Sequence, residues 1–242
     1  MIAAISIWVF ATEAKAEDWQ FQVTPYLWAA GIEGDIATLP GLPEASIDLS
    51  FSDVIENFKI GGMLVAEARK GRFGIFMDVI YIDVEPKGST PGPLFSSVKI
   101  DSETFVFTGA GLYRIWEEGG AFVDLLAGAR VWSIDTKLSL GAGILSAVDI
   151  SHKETWVDPV IGTKGLLPIA NTKFYLSAFG LIGGFDVSSD FLYDVGVNLG
   201  YSWTENFATT IGYRRFDVDY KEGDFLYDVA QSGMTLGFSW RF

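Results

Sequence analysis

A chain of 242 residues with no cysteine and a formal net charge of −14 excludes a disulfide scaffold and a thiolate metal site. It also lacks the clustered positive charge that a nucleic-acid partner requires. Aromatic residues make up 15%, glycines number 27 and mean hydropathy is +0.28, yet no apolar run approaches the ~18 residues of a transmembrane helix.

The chain begins with a short apolar run from Ile2 to Ala11, then Ala14-Lys15-Ala16, a small-x-small site before Glu17. This is the pattern of a secretory signal peptide cleaved after Ala16, although the basic n-region is missing. Residues 1–16 are therefore expected to be a leader and 17–242 one exported domain. The alternative is a first buried helix.

From Trp19 the sequence predicts strand after strand. In Trp19–Trp28, Trp19, Phe21, Val23 and Leu27 share one face, while Gln20, Gln22 and Thr24 share the other. Pro25 is tolerable near an edge or bulge. Residues 39–57 form a long connection. It holds a short alternating piece, Ser46 to Phe51, and one helical turn over 52–57 capped by Ser52 or Asp53. Further strands are expected at 58–69, 72–85, 98–115, 121–138, 152–166, 173–187, 191–203 and 207–220, with a last one closing the chain. The connections at 70–71, 116–120, 167–172 and 204–206 are short. Those at 39–57, 86–97 and 139–151 are long, and those at 188–190 and 221–227 modest. This alternation and the even count predict an all-β fold: a closed antiparallel up-and-down transmembrane β-barrel of about ten strands. Short turns would face the periplasm and longer loops the exterior. Twelve strands follow if Ser46–Phe51 joins the wall, and eight if two weak strands are misread.

The last strand alternates strictly. Met234, Leu236, Phe238, Trp240 and Phe242 are apolar, and Gly233, Thr235, Gly237, Ser239 and Arg241 lie between them. The spacing of Thr235, Gly237, Trp240 and Phe242 resembles the C-terminal signal by which outer-membrane barrels are recognised for assembly, which implies the barrel assembly machinery as a partner. Strand 191–203 shows the same division. Tyr193, Val195, Val197, Leu199, Tyr201 and Trp203 oppose Asp194, Gly196, Asn198, Gly200 and Ser202. A membrane barrel turns the apolar face to lipid and the polar face to the lumen.

Following that parity gives a lumen with Glu67, Arg69, Arg114, Asp124 and Lys164 near the short turns. Asp78, Arg130, Asp158 and Arg214 lie higher, and Glu154 lies near the outer mouth. Each layer mixes signs, so ion-pair networks are expected. These residues line either a selective pore or a plug of side chains; the balance of signs favours the plug.

The long-loop side is acidic, with Asp83, Glu85, Asp101, Glu103, Asp186, Asp190, Asp217, Asp219, Glu222, Asp224 and Asp228. Divalent cations bridging to lipopolysaccharide are a candidate partner there; a solvated rim is the plainer alternative. Arg215, with lipid-side parity, is placed to meet a lipid phosphate or to snorkel. The one histidine, His152, has Ser151, Glu154 and Asp149 nearby. Ser151 and His152 should point to opposite faces, and no hydrolase, nucleotide or metalloprotease motif is present. No catalytic residue, cofactor or metal-site residue is expected.

Several stretches resemble a little-characterised family of Gram-negative outer-membrane β-barrel proteins. They are Thr24–Trp28 with Gly34-Asp35, Phe51–Asn57, Glu67–Gly74, Leu126–Arg130, Asp158–Gly162, Gly183–Phe185 and Gly212–Arg214. Their order covers most of residues 19–242. The resemblance implies an outer-membrane location and carries over no catalytic residue. The family pattern has an acidic residue just before Ile182-Gly183-Gly184, and here it is Leu181. The expectation is a non-enzymatic structural barrel or narrow channel. The alternatives are a hydrolase at the outer mouth and a loop-mediated binding or adhesion protein.

Overall fold

A computed structural model describes residues 18–88 and 93–242. The expected leader, residues 1–16, lies outside the described residues, as do positions 89–92 of the expected loop at 86–97. The elements are β1 (Gln20–Ala37), β2 (Ala45–Leu49), α1 (Phe51–Glu56), β3 (Phe58–Lys70), β4 (Phe73–Val84), β5 (Lys87–Gly88) and β6 (Phe95–Glu118). They continue with β7 (Ala121–Ala142), β8 (Val148–Pro168), β9 (Phe174–Gly184), β10 (Phe191–Ser202), β11 (Phe207–Glu222) and β12 (Phe225–Arg241). No helix among the described residues is long and apolar enough to cross a membrane; the chain crosses with strands.

Ten strands form a closed antiparallel wall in up-and-down order, sealed where β12 pairs with β1 from Gln22–Arg241 to Ala37–Leu226. Backbone hydrogen bonds in both directions between Phe21 and Phe242, 2.9 and 3.0 Å, finish the seam. Closure leaves the ten-strand wall itself without a free edge. The segment at 46–49 does not join the wall as a full strand. As β2 it pairs only with β1, over Ile32–Ile36, above the stretch Gln20–Tyr26 where β1 pairs with β3.

Several boundaries differ from expectation. The strand expected over 173–187 ends at Gly184, because Gly184, Phe185 and Asp186 take positive φ. β1 runs on to Ala37, because β12 accompanies it beyond the membrane level. The helix is capped by Ser50, not Ser52 or Asp53. Ser50 Oγ accepts from the Asp53 amide, and Asp53 in turn accepts from the Ser50 amide, a reciprocal capping box. The loop after the fifth wall strand shrinks to 143–147, since β7 and β8 stay paired out to Leu140–Val148.

The exterior divides by depth. Trp19, Trp116, Trp203 and Trp240 all lie at strand ends on the short-turn side and are about half exposed. They form an aromatic belt at the periplasmic interface, where an amphipathic ring meets both lipid and water. Above it comes an apolar band that includes Ile75, Leu125, Ile161, Val197, Ile211 and Leu236. Phe73 to Tyr81 on β4, and Tyr193 to Tyr201 on β10, are of the ~9–11-residue length that a tilted strand needs to cross the hydrocarbon.

Above this band the alternation reverses its meaning. On β11, Arg215, Asp217 and Asp219 face out while Phe216, Val218 and Tyr220 are buried inside. On β7, Ser133, Asp135 and Lys137 face out and Trp132, Ile134 and Thr136 face in. The polar-inside rule therefore holds only at membrane depth. The outer third is built like a soluble barrel, because its solvent is water and its apolar side chains can be buried only inside.

Candidate functional site

The interior has three layers. The outermost is an apolar core built from every side of the barrel: Trp28, Val106, Trp132, Ile134, Trp156, Phe216, Val218, Tyr220, Phe225, Tyr227 and Val229. Trp132 and Trp156 stack with centroids 5.3 Å apart, Trp156 and Tyr220 at 3.9 Å, and Trp132 and Phe216 at 5.0 Å. Trp132, Val218 and Val229 have essentially no exposure. This layer occupies the interior of the outer third of the barrel.

Beneath it lies a charged girder. Arg214 donates to both oxygens of Asp194 (2.9 and 2.6 Å), to Asp78 (2.9 Å) and to the Tyr26 hydroxyl (2.7 Å). Tyr26 donates in turn to Asp78 at 2.8 Å. Arg130 donates to Asp194 at 2.6 Å and to Thr108 at 2.8 Å. Two guanidinium groups thus face two carboxylates, and the layer is neutral. Burying these charges is tolerable because each is paired and multiply hydrogen-bonded. Asp158, expected in this layer, is instead held by the Ser189 amide and hydroxyl at 2.8 and 2.7 Å and by Trp156 Nε1 at 3.1 Å. It pins the 185–190 turn into the barrel. Glu154 accepts from Tyr220 at 3.2 Å and pairs with His152 at 3.1 Å near the outer mouth.

The third layer is open. A chamber of about 1020 Å³ occupies the barrel below the girder and communicates with the short-turn side. Its roof is Tyr26, Asp78, Asp194 and Arg214. Its mouth is ringed by Phe21, Lys173, Trp203, Arg241 and Phe242. Along one wall Arg69 and Arg114 share Asp124, Arg114 through Nε at 2.9 Å, and Lys164 pairs with Glu67. Arg114 also lies over the Phe122 ring at 4.0 Å. On the adjoining strands β9 and β10, Tyr175 and Phe179 lie flat on the sheet, each over the glycine paired with it on β10, Gly200 and Gly196. A Cβ at Gly200 would come within 2.1 Å of the Tyr175 ring, and one at Gly196 within 2.4 Å of Phe179. The two glycines therefore keep the rings out of the chamber. A third wall is hydroxyl- and amide-lined, with Thr24 and Ser239 at 2.8 Å and Thr235 donating to Asn198 at 3.0 Å. Leu181, where an acid was expected, packs with Ala110, Leu112 and Leu126 beside Phe76.

The sequence-derived lumen residues thus fall into separate groups. Glu67, Arg69, Arg114 and Lys164 border the chamber, with Asp124 buried behind the two arginines; Asp78, Arg130 and Arg214 form the girder, Asp158 lies in the outer core and Glu154 near the outer mouth. Asp194 and Tyr26 lie outside the expected set. So does the aromatic layer, although the same parity carried two residues outward from Arg130, Asp158 and Arg214 reaches Trp132, Trp156 and Phe216. Of the β12 positions, Thr235 and Gly237 line the chamber, Phe242 stands at its mouth, and Trp240 is exposed outside it. Arg215 donates to the Tyr193 hydroxyl at 2.9 Å and pairs with Glu33 at 3.4 Å.

No protein-family model and no curated protein sequence matches the chain. Among solved structures, the outer-membrane protease OmpT from Escherichia coli is similar at 13% identity and a TM-score of 0.55, covering 94% of this chain and 98% of its own. Ail, the attachment invasion locus protein of Yersinia pestis, aligns at 14% identity over 93% and 99% of the two chains, with a TM-score of 0.35. At this identity the likeness concerns architecture alone, and the architecture is that of a small outer-membrane β-barrel.

Proposed function

We propose that this is a non-enzymatic barrel of the outer membrane that does not conduct, and that its working site is the chamber open to the periplasm. The observation that carries this reading is the asymmetry of the interior. Tightly stacked rings close the outer third, and a chamber of about 1020 Å³ lies open below. That volume is at the upper end of small-molecule sites, ~300–1,000 Å³. Flat-lying rings, paired charges and hydroxyls around one chamber suit a small amphiphilic ligand that enters from the periplasm.

The chain has no cysteine, so an introduced thiol is unique. Ser177 lines the chamber. In sealed vesicles of known orientation, Ser177→Cys should react with a membrane-impermeant thiol reagent added on the short-turn side and resist the same reagent added outside. Planar bilayers should show no conductance steps. Labelling from outside, or steady steps, would favour the narrow-channel alternative instead.

A hydrolase at the outer mouth has one supporting feature, the His152–Glu154 pair. Against it, Ser151 is exposed on the opposite face, and Ser139 is engaged with Asp149. Loss of a detected hydrolase activity in His152→Ala would restore that reading. Outer-membrane lipid and lipopolysaccharide are the surroundings that the apolar band calls for. The outward rings of Trp240 and Phe242 support β12 as the assembly signal. Phe242→Ala should slow machinery-assisted insertion more than unassisted folding into vesicles.

A further inference from the structure

We propose that Asp83, Asp101 and Glu103 form a binding site for a hard divalent cation, calcium in preference to magnesium, on the outer wall just above the membrane. The site follows from register. β4 and β6 pair Asp83 directly with Glu103 and Val84 with Ser102, so Asp101 stands one step outward on the same face as Glu103. One carboxylate oxygen from each of the three lies within 4.8 Å of the others. Calcium takes ~6–8 oxygen ligands at ~2.3–2.6 Å in a flexible geometry, so three carboxylates converging on one place suit it. Magnesium demands a stricter octahedron, dehydrates reluctantly and is usually held by one or two carboxylates, so it suits this set less well.

A second observation is independent of the clustering. Asp83 is only 3% exposed, although it faces outward, and its Oδ1 is buried with no hydrogen-bond donor. Its other oxygen is held by Lys59 at 3.0 Å, and the same ammonium reaches Asp101 at 3.6 Å. A buried carboxylate oxygen without a donor is costly, and a cation removes that cost. Lys59 is about half exposed on a flexible stem and is free to swing away. The depth also fits. Tyr81 and Phe105 pair with each other two residues nearer the membrane, and the Tyr81 hydroxyl approaches Glu103 at 3.5 Å. The cluster therefore sits directly above an outer aromatic position, where the unfilled coordination positions of a bound ion face the headgroup layer.

The test is calorimetric titration of the chelator-treated, membrane-reconstituted protein with calcium chloride, and separately with magnesium chloride. One saturable calcium site is expected, with magnesium weaker by about tenfold or more. Asp101→Asn and Glu103→Gln are partly exposed positions, and each should weaken calcium by about tenfold or more while near-UV circular dichroism stays unchanged. Lys59→Met should tighten calcium, because it removes the ammonium that contacts both Asp83 and Asp101, leaving only Lys99, among the described residues, at 3.8 Å from Asp101. Asp219→Asn, elsewhere on the acidic rim, should leave the affinity unchanged. Absence of saturable binding, equal affinity for the two ions, indifference to Asp101→Asn and Glu103→Gln, no tightening in Lys59→Met, or an equal loss in Asp219→Asn would each overturn the assignment.

Discussion

Single residues decide how the interior layers stay apart. Asp194 is fully buried and is the only carboxylate in the girder that both Arg130 and Arg214 contact. Asp194→Asn leaves two guanidinium groups facing one acid, Asp78. It should cost about 3–5 kcal/mol, the usual penalty for breaking a buried charge pair from one side. Denaturant unfolding in detergent micelles measures this. Trp132 poses a different problem. Its ring stacks on Trp156 and Phe216, but its Nε1 is buried without an acceptor. Trp132→Phe keeps most of the stacking and deletes the unmet donor, so stability should hold or rise. Trp132→Ala should lose about 3–5 kcal/mol through the cavity it opens. A loss in the Phe variant as large as in the Ala variant would show that the indole nitrogen is satisfied. Charged lumen positions are legible in sequence because a charge at inward parity is rare and conspicuous. Tyr26 and Trp132 are not, since an aromatic residue suits either face of a strand.

At the scale of elements, the segments outside the membrane respond to pH in opposite directions. Asp53, in the capping box of α1, is held below its ordinary range by the hydrogen bonds from the Ser50 side chain and backbone. A depressed carboxylate lends stability that is present above its unfolded pKa and is lost as pH falls through the folded one. Asp219 and Asp228 face each other across β11 and β12. Both are pushed up, first by burial and then by neighbouring carboxylates, which are Asp228 and Asp190 for the former and Asp217, Asp35 and Glu44 for the latter. A raised carboxylate binds its proton more tightly in the folded state, so this hairpin gains stability as pH falls through the raised folded values. Hydrogen exchange on acidification should show the tip of β11–β12 becoming more protected first. The amides of α1 should lose protection afterwards, at lower pH. Ser50→Ala should expose α1 already at neutral pH, at a cost of about 1 kcal/mol. The helix was visible in the sequence, but its cap was not. Ser50, Ser52 and Asp53 are all competent capping residues, and the choice among them depends on where β2 leaves the wall.

For the whole molecule the deciding fact is that one continuous set of strands meets two solvents. Below Arg214 the apolar residues point to lipid, and above it they point inward. The period-2 pattern stays unbroken across the change. Strand existence, count and loop phase were therefore readable, since all three depend only on the period. The inward apolar packing of the outer third was not, because the same alternation encodes opposite packing once water replaces lipid outside. The reversal has a direct spectroscopic consequence. The belt tryptophans, Trp19, Trp116, Trp203 and Trp240, are exposed at membrane depth, whereas Trp132 and Trp156 are buried inside the extramembrane core. A variant that keeps only Trp132 and Trp156, every other tryptophan being replaced by phenylalanine, should resist quenching by lipids brominated on their acyl chains. It should also resist aqueous acrylamide. The wild type should be strongly quenched by the brominated lipids, with greatest effect from labels near the headgroup. If the two-tryptophan variant were quenched by brominated chains as strongly as the wild type, the outer third would lie in lipid, and the stacked rings could not be a seal between a periplasmic chamber and the outside. If acrylamide reached it freely, the core would be hydrated, and the same strands would enclose a path for solutes.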